Sequence, residues 1–186
     1  MKRICVFCGS QVGRNPQFRS TAEELGRLLV EFDLQLVYGG GSVGLMGIIA
    51  DSVLAAGGHV IGVIPEALAT AELLHDDVSD MRVVQSMHER KALMAELSDA
   101  FIALPGGYGT FEEMFEAITW TQLRIQRKLI GLVNTAGYYQ SLIGLIDHAV
   151  SQGFVKARNR EILVAGDRPL EVLQAIMDHP WYENSR

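Results

Sequence analysis

The sequence predicts an α/β fold: a single, doubly wound, Rossmann-like domain whose mostly parallel sheet carries helices on both faces. Three observations predict it. Short apolar runs alternate with longer amphipathic ones along the whole chain, which is the pattern of strands joined by helical crossovers. The strand-like runs are continuously apolar, as expected where helices cover both faces of a sheet. Glycine-rich loops follow three of those runs, and open α/β sheets bind ligands at the carboxyl ends of their strands. The 186 residues suit one domain over 1–186, long enough to bury roughly 70% of the unfolded chain's surface.

The elements follow in order. Residues 3–9 (RICVFCG) read as a strand. Residues 16–32 read as a helix, with Pro16 suited to its first turn and Phe18, Ala22, Leu25, Leu28, Leu29 and Phe32 at helical spacing. A strand is expected at 34–40, a helix at 43–58 closed by glycines, and a strand at 59–65 stopped by Pro65. Residues 66–80 are less regular, and 82–84 fit an edge strand. Then come a helix at 87–97, a strand at 100–106, a helix at 110–123, a strand at 128–134 and a helix at 138–153. A short strand at 161–166 and a closing helix at 169–179 complete the pattern.

Composition excludes several classes. The formal net charge of -6 is wrong for a polynucleotide-binding domain, which is usually basic. No apolar run reaches the roughly 18 residues of a membrane span, and the chain passes from MKR straight into its first strand without a small-residue cleavage site. The expectation is a soluble cytoplasmic protein with no nucleic-acid or membrane partner. Cys5 and Cys8 are the only cysteines. Their C-x-x-C spacing resembles a redox or zinc motif, but residues three apart in a strand face opposite ways, and no second ligand pair exists. They are expected to be reduced, structural and metal-free.

The three loops are 8–16 (CGSQVGRNP), 38–47 (YGGGSVGLMG) and 104–113 (LPGGYGTFEE). Gly39, Gly41 and Gly44 match G-x-G-x-x-G, yet this is the second strand, and the acidic residue expected at the end of the next strand is absent. The third loop is not a Walker A motif, because no Gly-Lys-Ser/Thr follows. Gly106, Gly107 and Gly109 allow close backbone approach at a helix start, where free N–H groups and the helix dipole favour an anion. Thr110 can add its hydroxyl. Glu113 admits two readings: the partner of Thr110 in a T-x-x-E capping box, or a carboxylate one turn in that faces a ligand. Arg90 and Lys91 likewise read either as an exposed basic pair or as the cation that tolerates Glu113. His88 and Glu89 read as surface.

PGGYGTFEE and MHERK together match the paired motif of the Lonely Guy family of cytokinin-activating phosphoribohydrolases, once often labelled lysine decarboxylases. The resemblance spans essentially the whole chain, including VFCGS, LVYGGGSVGLMG, DAFIALPGG, ITWTQL and the GYY segment. It implies hydrolysis of the N-glycosidic bond of an adenosine-type 5'-monophosphate to a free base and ribose 5-phosphate, without cofactor or metal. It implies Arg90 and Glu113 as the catalytic pair. Ser10, Gly40, Gly41, Glu72, Met87, Lys91, Gly106, Gly107, Tyr108, Gly109, Thr110 and Thr119 become substrate- or phosphate-binding positions. It also implies a homodimer with sites near the interface. Gln11 departs from the family's second serine in the first loop. A pyridoxal-phosphate decarboxylase would need a Schiff-base lysine, and Lys2, Lys91, Lys128 and Lys156 have no fitting context. The main alternative is a non-catalytic nucleotide or molybdenum-cofactor carrier of related fold, which would not need the Arg90–Glu113 pair.

Overall fold

The computed structural model describes residues 1–69, 75 and 77–182. Within them, seven strands form one sheet: β1 (Arg3–Phe7), β2 (Gln35–Tyr38), β3 (Val60–Pro65), β4 (Asp80–Val84), β5 (Ala100–Ala103), β6 (Ile130–Val133) and β7 (Leu163–Gly166). The order is β4-β3-β2-β1-β5-β6-β7, and every described pairing is parallel. The chain winds outward from β1 to β4, returns to the middle, and winds the other way from β5. Strand order therefore reverses between β1 and β5, and a crevice opens at their carboxyl ends.

Helices α1 (Gln17–Glu31), α2 (Gly44–Ala55) and α7 (Pro169–Met177) cover one face. Leu25, Leu29, Ile49, Val53, Val172 and Ile176 pack there against Ile4, Val6, Leu36 and Ile102. Helices α3 (Met87–Leu97), α4 (Tyr108–Gln122) and α5 (Gln140–Ser151) cover the other, with Met94, Met114 and Ala117 against Phe7, Val37, Phe101 and Leu132. Burial on both faces is why the strands carry unbroken apolar runs. Cys5 belongs to the second layer and Cys8 to the first. Both are free and buried, and burial pushes both thiols up, away from the reactive thiolate.

The expected elements are present, most of them shorter than expected by one to three residues at an end, and three further differences stand out. The edge strand β4 begins at Asp80, two residues before the expected start. Helix α4 begins at Tyr108 rather than Thr110, and this changes the site. A four-residue helix α6 (Ala157–Arg160) and two single 3-10 turns, Glu66–Leu68 and Thr135–Gly137, were not signalled, being too short to show a period. No described helix is long and apolar enough to cross a membrane.

Candidate active site

The three loops meet at the crevice. The Gly9 N–H donates to the Pro105 carbonyl at 3.0 Å, joining the first and third loops across the switch. The Leu45 N–H donates to the Gly9 carbonyl at 2.9 Å, joining the second to the first. Tyr139 Oη donates to the Leu104 carbonyl at 2.6 Å, and Tyr138 Oη to the Gly106 carbonyl. Ser10 stands exposed on this rim, whereas Gly40 and Gly41 lie buried in the second loop.

The start of α4 corrects one sequence reading. Its N-cap is Gly107, and no side chain caps it. Thr110 is the third helical residue and is buried, its hydroxyl packed over Gly106, where an added Cβ would lie 2.1 Å from Thr110 Oγ1. The Thr110–Glu113 capping box is therefore absent, because both residues lie inside the helix. The first helical bond to Gly107 comes from Phe111 N–H, at 3.1 Å. The N–H groups of Tyr108, Gly109 and Thr110 have no acceptor among the described residues. Three aligned donors at a positive helix end make an anion site. The Tyr108 side chain, 93% exposed, stands clear of it.

Arg90 and Glu113 face each other across α3 and α4. The Arg90 side chain is buried rather than exposed. Its Nε donates to the Val63 carbonyl at 3.0 Å and its Nη2 to the Gly39 carbonyl at 3.2 Å. A Cβ on residue 39 would sit 2.0 Å from Nη2, so glycine there makes room for the guanidinium. Met87 covers the outer side, with Sδ 3.8 Å from Nη1. Nη1 lies 3.6 Å from Glu113 Oε1, an ion pair longer than a hydrogen bond. The Glu113 carboxylate accepts no hydrogen bond from any described residue. Desolvation pushes it up to about 7, with the Arg90 charge opposing. A buried carboxyl poised near neutrality, beside one fixed cation, can exchange a proton or stabilise developing positive charge.

Lys91 is placed differently. Its Nζ lies 2.5 Å from Glu112 Oε1 and 3.0 Å from Glu116 Oε2. Burial alone would push it down, but the hydrogen bonds to Glu112 and Glu116 prevail and hold it above its ordinary range. Thr119 lies six residues beyond Glu113, about 9 Å along α4. It is exposed and bonds back to the Phe115 carbonyl at 2.7 Å, so one chain does not bring it to the cluster. Glu72 lies outside the described residues.

Sequence reasoning missed several contributors. Glu89 is not idle surface: with Ser86 it caps α3, accepting from Gln85 N–H at 2.8 Å while Ser86 Oγ accepts from Glu89 N–H at 3.1 Å. That S-x-x-E spacing was readable. Glu112 and Glu116, four apart, were readable as one helical face. Gly39 and Val63 act through carbonyls and close approach, and Tyr138 and Tyr139 donate hydroxyls to backbone carbonyls of the third loop, which leaves no local signal.

An Oryza sativa protein named a probable cytokinin riboside 5'-monophosphate phosphoribohydrolase is 52% identical over 92% of this chain and 70% of its own length. An Arabidopsis thaliana cytokinin riboside 5'-monophosphate phosphoribohydrolase is 51% identical over 96% and 84%. The chain belongs to the cytokinin riboside 5'-monophosphate phosphoribohydrolase family. The family model matching residues 46–176 bears the description "possible lysine decarboxylase". The lysines do not fit the pyridoxal phosphate such an activity implies. Lys91 is held by two carboxylates. Lys128 precedes β6 at the opposite edge of the sheet, over the Phe101 ring and donating to the Ala95 carbonyl. Among solved structures, the molybdenum cofactor carrier protein of Chlamydomonas reinhardtii superposes with a TM-score of 0.71 over 94% of this chain and 95% of its own, at 20% identity. The molybdenum cofactor binding protein of Rippkaea orientalis gives 0.67 over 95% and 96%, also at 20%. These two share the fold of this phosphoribohydrolase family member.

Proposed function

We propose that the chain hydrolyses the N-glycosidic bond of adenosine 5'-monophosphates, including N6-substituted ones, releasing the free base and ribose 5-phosphate. Relatives near 50% identity that bear this activity in their names support the reading. The observation that carries it is the buried Arg90–Glu113 pair one helical turn from the open N-terminus of α4. The N–H groups of Tyr108, Gly109 and Thr110 hold the 5'-phosphate, with Gly106 and Gly107 letting it approach. Ser10, Gly40 and Gly41 form the rest of the rim. The ribose then lies against Glu113. Breaking the bond builds oxocarbenium character at the anomeric carbon, which a carboxylate stabilises. The same carboxylate orients the attacking water and takes its proton.

Arg90, fixed by the Val63 and Gly39 carbonyls, opposes the desolvation that favours the protonated Glu113 carboxyl and orients it, with Met87 closing the outer side. Lys91 turns from Glu112 and Glu116 toward the ligand. Thr119 joins only through a homodimer that seats a second copy beside α4. Glu72 is assigned to ligand binding on the resemblance alone. The test is product analysis without added cofactor, using AMP and isopentenyladenosine monophosphate with Glu113→Gln as control. Base release that disappears in the variant supports the reading. Nucleotide binding without base release would make the protein a carrier.

A further inference from the structure

A second cavity lies at the other edge of the sheet. The segments that lead from α4 into β6 and from α5 through α6 into β7 enclose about 770 Å³, well within the range of small-molecule sites. Four cations line it, Arg124, Arg127, Lys156 and Arg158, against one carboxylate, Glu161. The chain as a whole carries a net charge of -6, so this concentration of positive charge is local.

The four cations are also unspent. Arg82, Arg90, Lys91, Arg160 and Arg168 each hold a carboxylate. None of the four has an ion pair among the described residues; Arg127 lies over the Trp181 ring, 5.5 Å from its centroid. Cations do gather near helix C-termini, such as those of α4 and α5, to offset the dipole. That accounts for charge but not for a cavity, nor for the apolar groups in it. Phe154 is 90% exposed and Ile125 67% exposed, both on the cavity wall. The floor is held in place, since Gln126 Nε2 donates to the Ala117 carbonyl at 3.1 Å.

From these features we infer a second ligand site, separate from the Arg90–Glu113 cluster, for a phosphorylated compound with an aromatic ring, such as a nucleoside diphosphate. The phosphates meet Arg124, Lys156 and Arg158, for which charge-assisted and bidentate bonds are available. The ring packs on Phe154 and Ile125 beside the Arg127–Trp181 stack. Because the cavity sits at the amino ends of β6 and β7, its occupant does not touch the substrate rim. A nucleoside diphosphate there binds alongside substrate rather than in competition with it.

ADP binding is measured by equilibrium dialysis on the full chain. The R124E/R158E variant changes two exposed side chains outside the core. It is expected to bind one ADP per chain fewer than the unsubstituted protein, with AMP turnover in the absence of ADP unchanged. E113Q is expected to bind as many ADP as the unsubstituted protein. Adenosine, lacking phosphate, is expected to bind the cavity at least about tenfold more weakly. Equal ADP stoichiometry in R124E/R158E and the unsubstituted chain would overturn the site. So would a variant that sediments as a smaller species at the same concentration, since the cavity would then be a contact between copies. Neither readout depends on base release, so the proposal and the proposed activity fail separately.

Discussion

Two ion-pair regions bridge α3 and α4, and adjacent residues, Arg90 and Lys91, anchor them. The inner one is buried, loose and underbonded: Arg90 and Glu113 stand 3.6 Å apart, and the carboxylate takes no hydrogen bond from any described residue. The outer one is tight: Lys91 meets Glu112 and Glu116 at 2.5 and 3.0 Å. A protein built only for stability would place the better contacts inside, where an unsatisfied charge is expensive. Here the inner pair keeps its capacity unused. The comparison separates a group held ready for a ligand from groups that hold two helices together.

The comparison breaks first at Glu113. Glu113→Gln keeps the shape and removes the charge, and base release is expected to fall about 10²-fold or more. Turnover close to that of the unsubstituted enzyme would reduce Glu113 to a packing residue. Arg90→Lys comes next. A point charge cannot reach the Val63 carbonyl, the Gly39 carbonyl and Glu113 together, so kcat should drop by roughly tenfold or more, while KM for the nucleotide changes less. A KM-only effect would make Arg90 a binding residue.

The third prediction concerns pH. Desolvation raises the Glu113 carboxyl from 4.5 to about 7. If the carboxylate is the active form, kcat/KM rises through about pH 7 and levels above it. The stability consequence has the opposite sense. Between the unfolded and folded values the folded state holds a proton that the unfolded state has lost, so stability falls as pH rises from about 4.5 to about 7. Glu113→Gln removes that slope and should make the protein more stable at pH 8, by about 1–3 kcal/mol, read from urea unfolding. An identical pH slope in the variant would place the titration elsewhere. The smallest effect is expected at Glu116→Gln. Its pair with Lys91 is only partly exposed, but Lys91 keeps Glu112, so the loss is expected to be about 1 kcal/mol, and kcat should hold. A large loss of kcat there would erase the distinction between the two regions.

Much of this was legible in the sequence, unevenly. Helix α3 occupies the predicted 87–97, and the apolar strands announced a covered sheet. The start of α4 was misplaced because Thr110 and Glu113 look like a cap, while the true cap, Gly107, has no side chain to advertise it. The burial of Arg90 was illegible for a different reason. Two of its partners are backbone carbonyls on β3 and at the end of β2, and every residue type carries a carbonyl. The Lys91 contacts required knowing that α3 lies beside α4. Its acidic partners were visible as a pattern, but without an address.

The bonds from Gly9 to Pro105 and from Leu45 to Gly9 have a thermodynamic consequence. They fasten the three loops to one another before any nucleotide arrives, so binding forfeits little chain freedom at the rim. Amide exchange reports this directly. The Gly9 and Leu45 amides should be protected equally with and without nucleotide, whereas those of Tyr108, Gly109 and Thr110 should slow only when phosphate is bound. Recognition here would be a matter of filling a rigid mould, with the ordering entropy already spent when the chain folds.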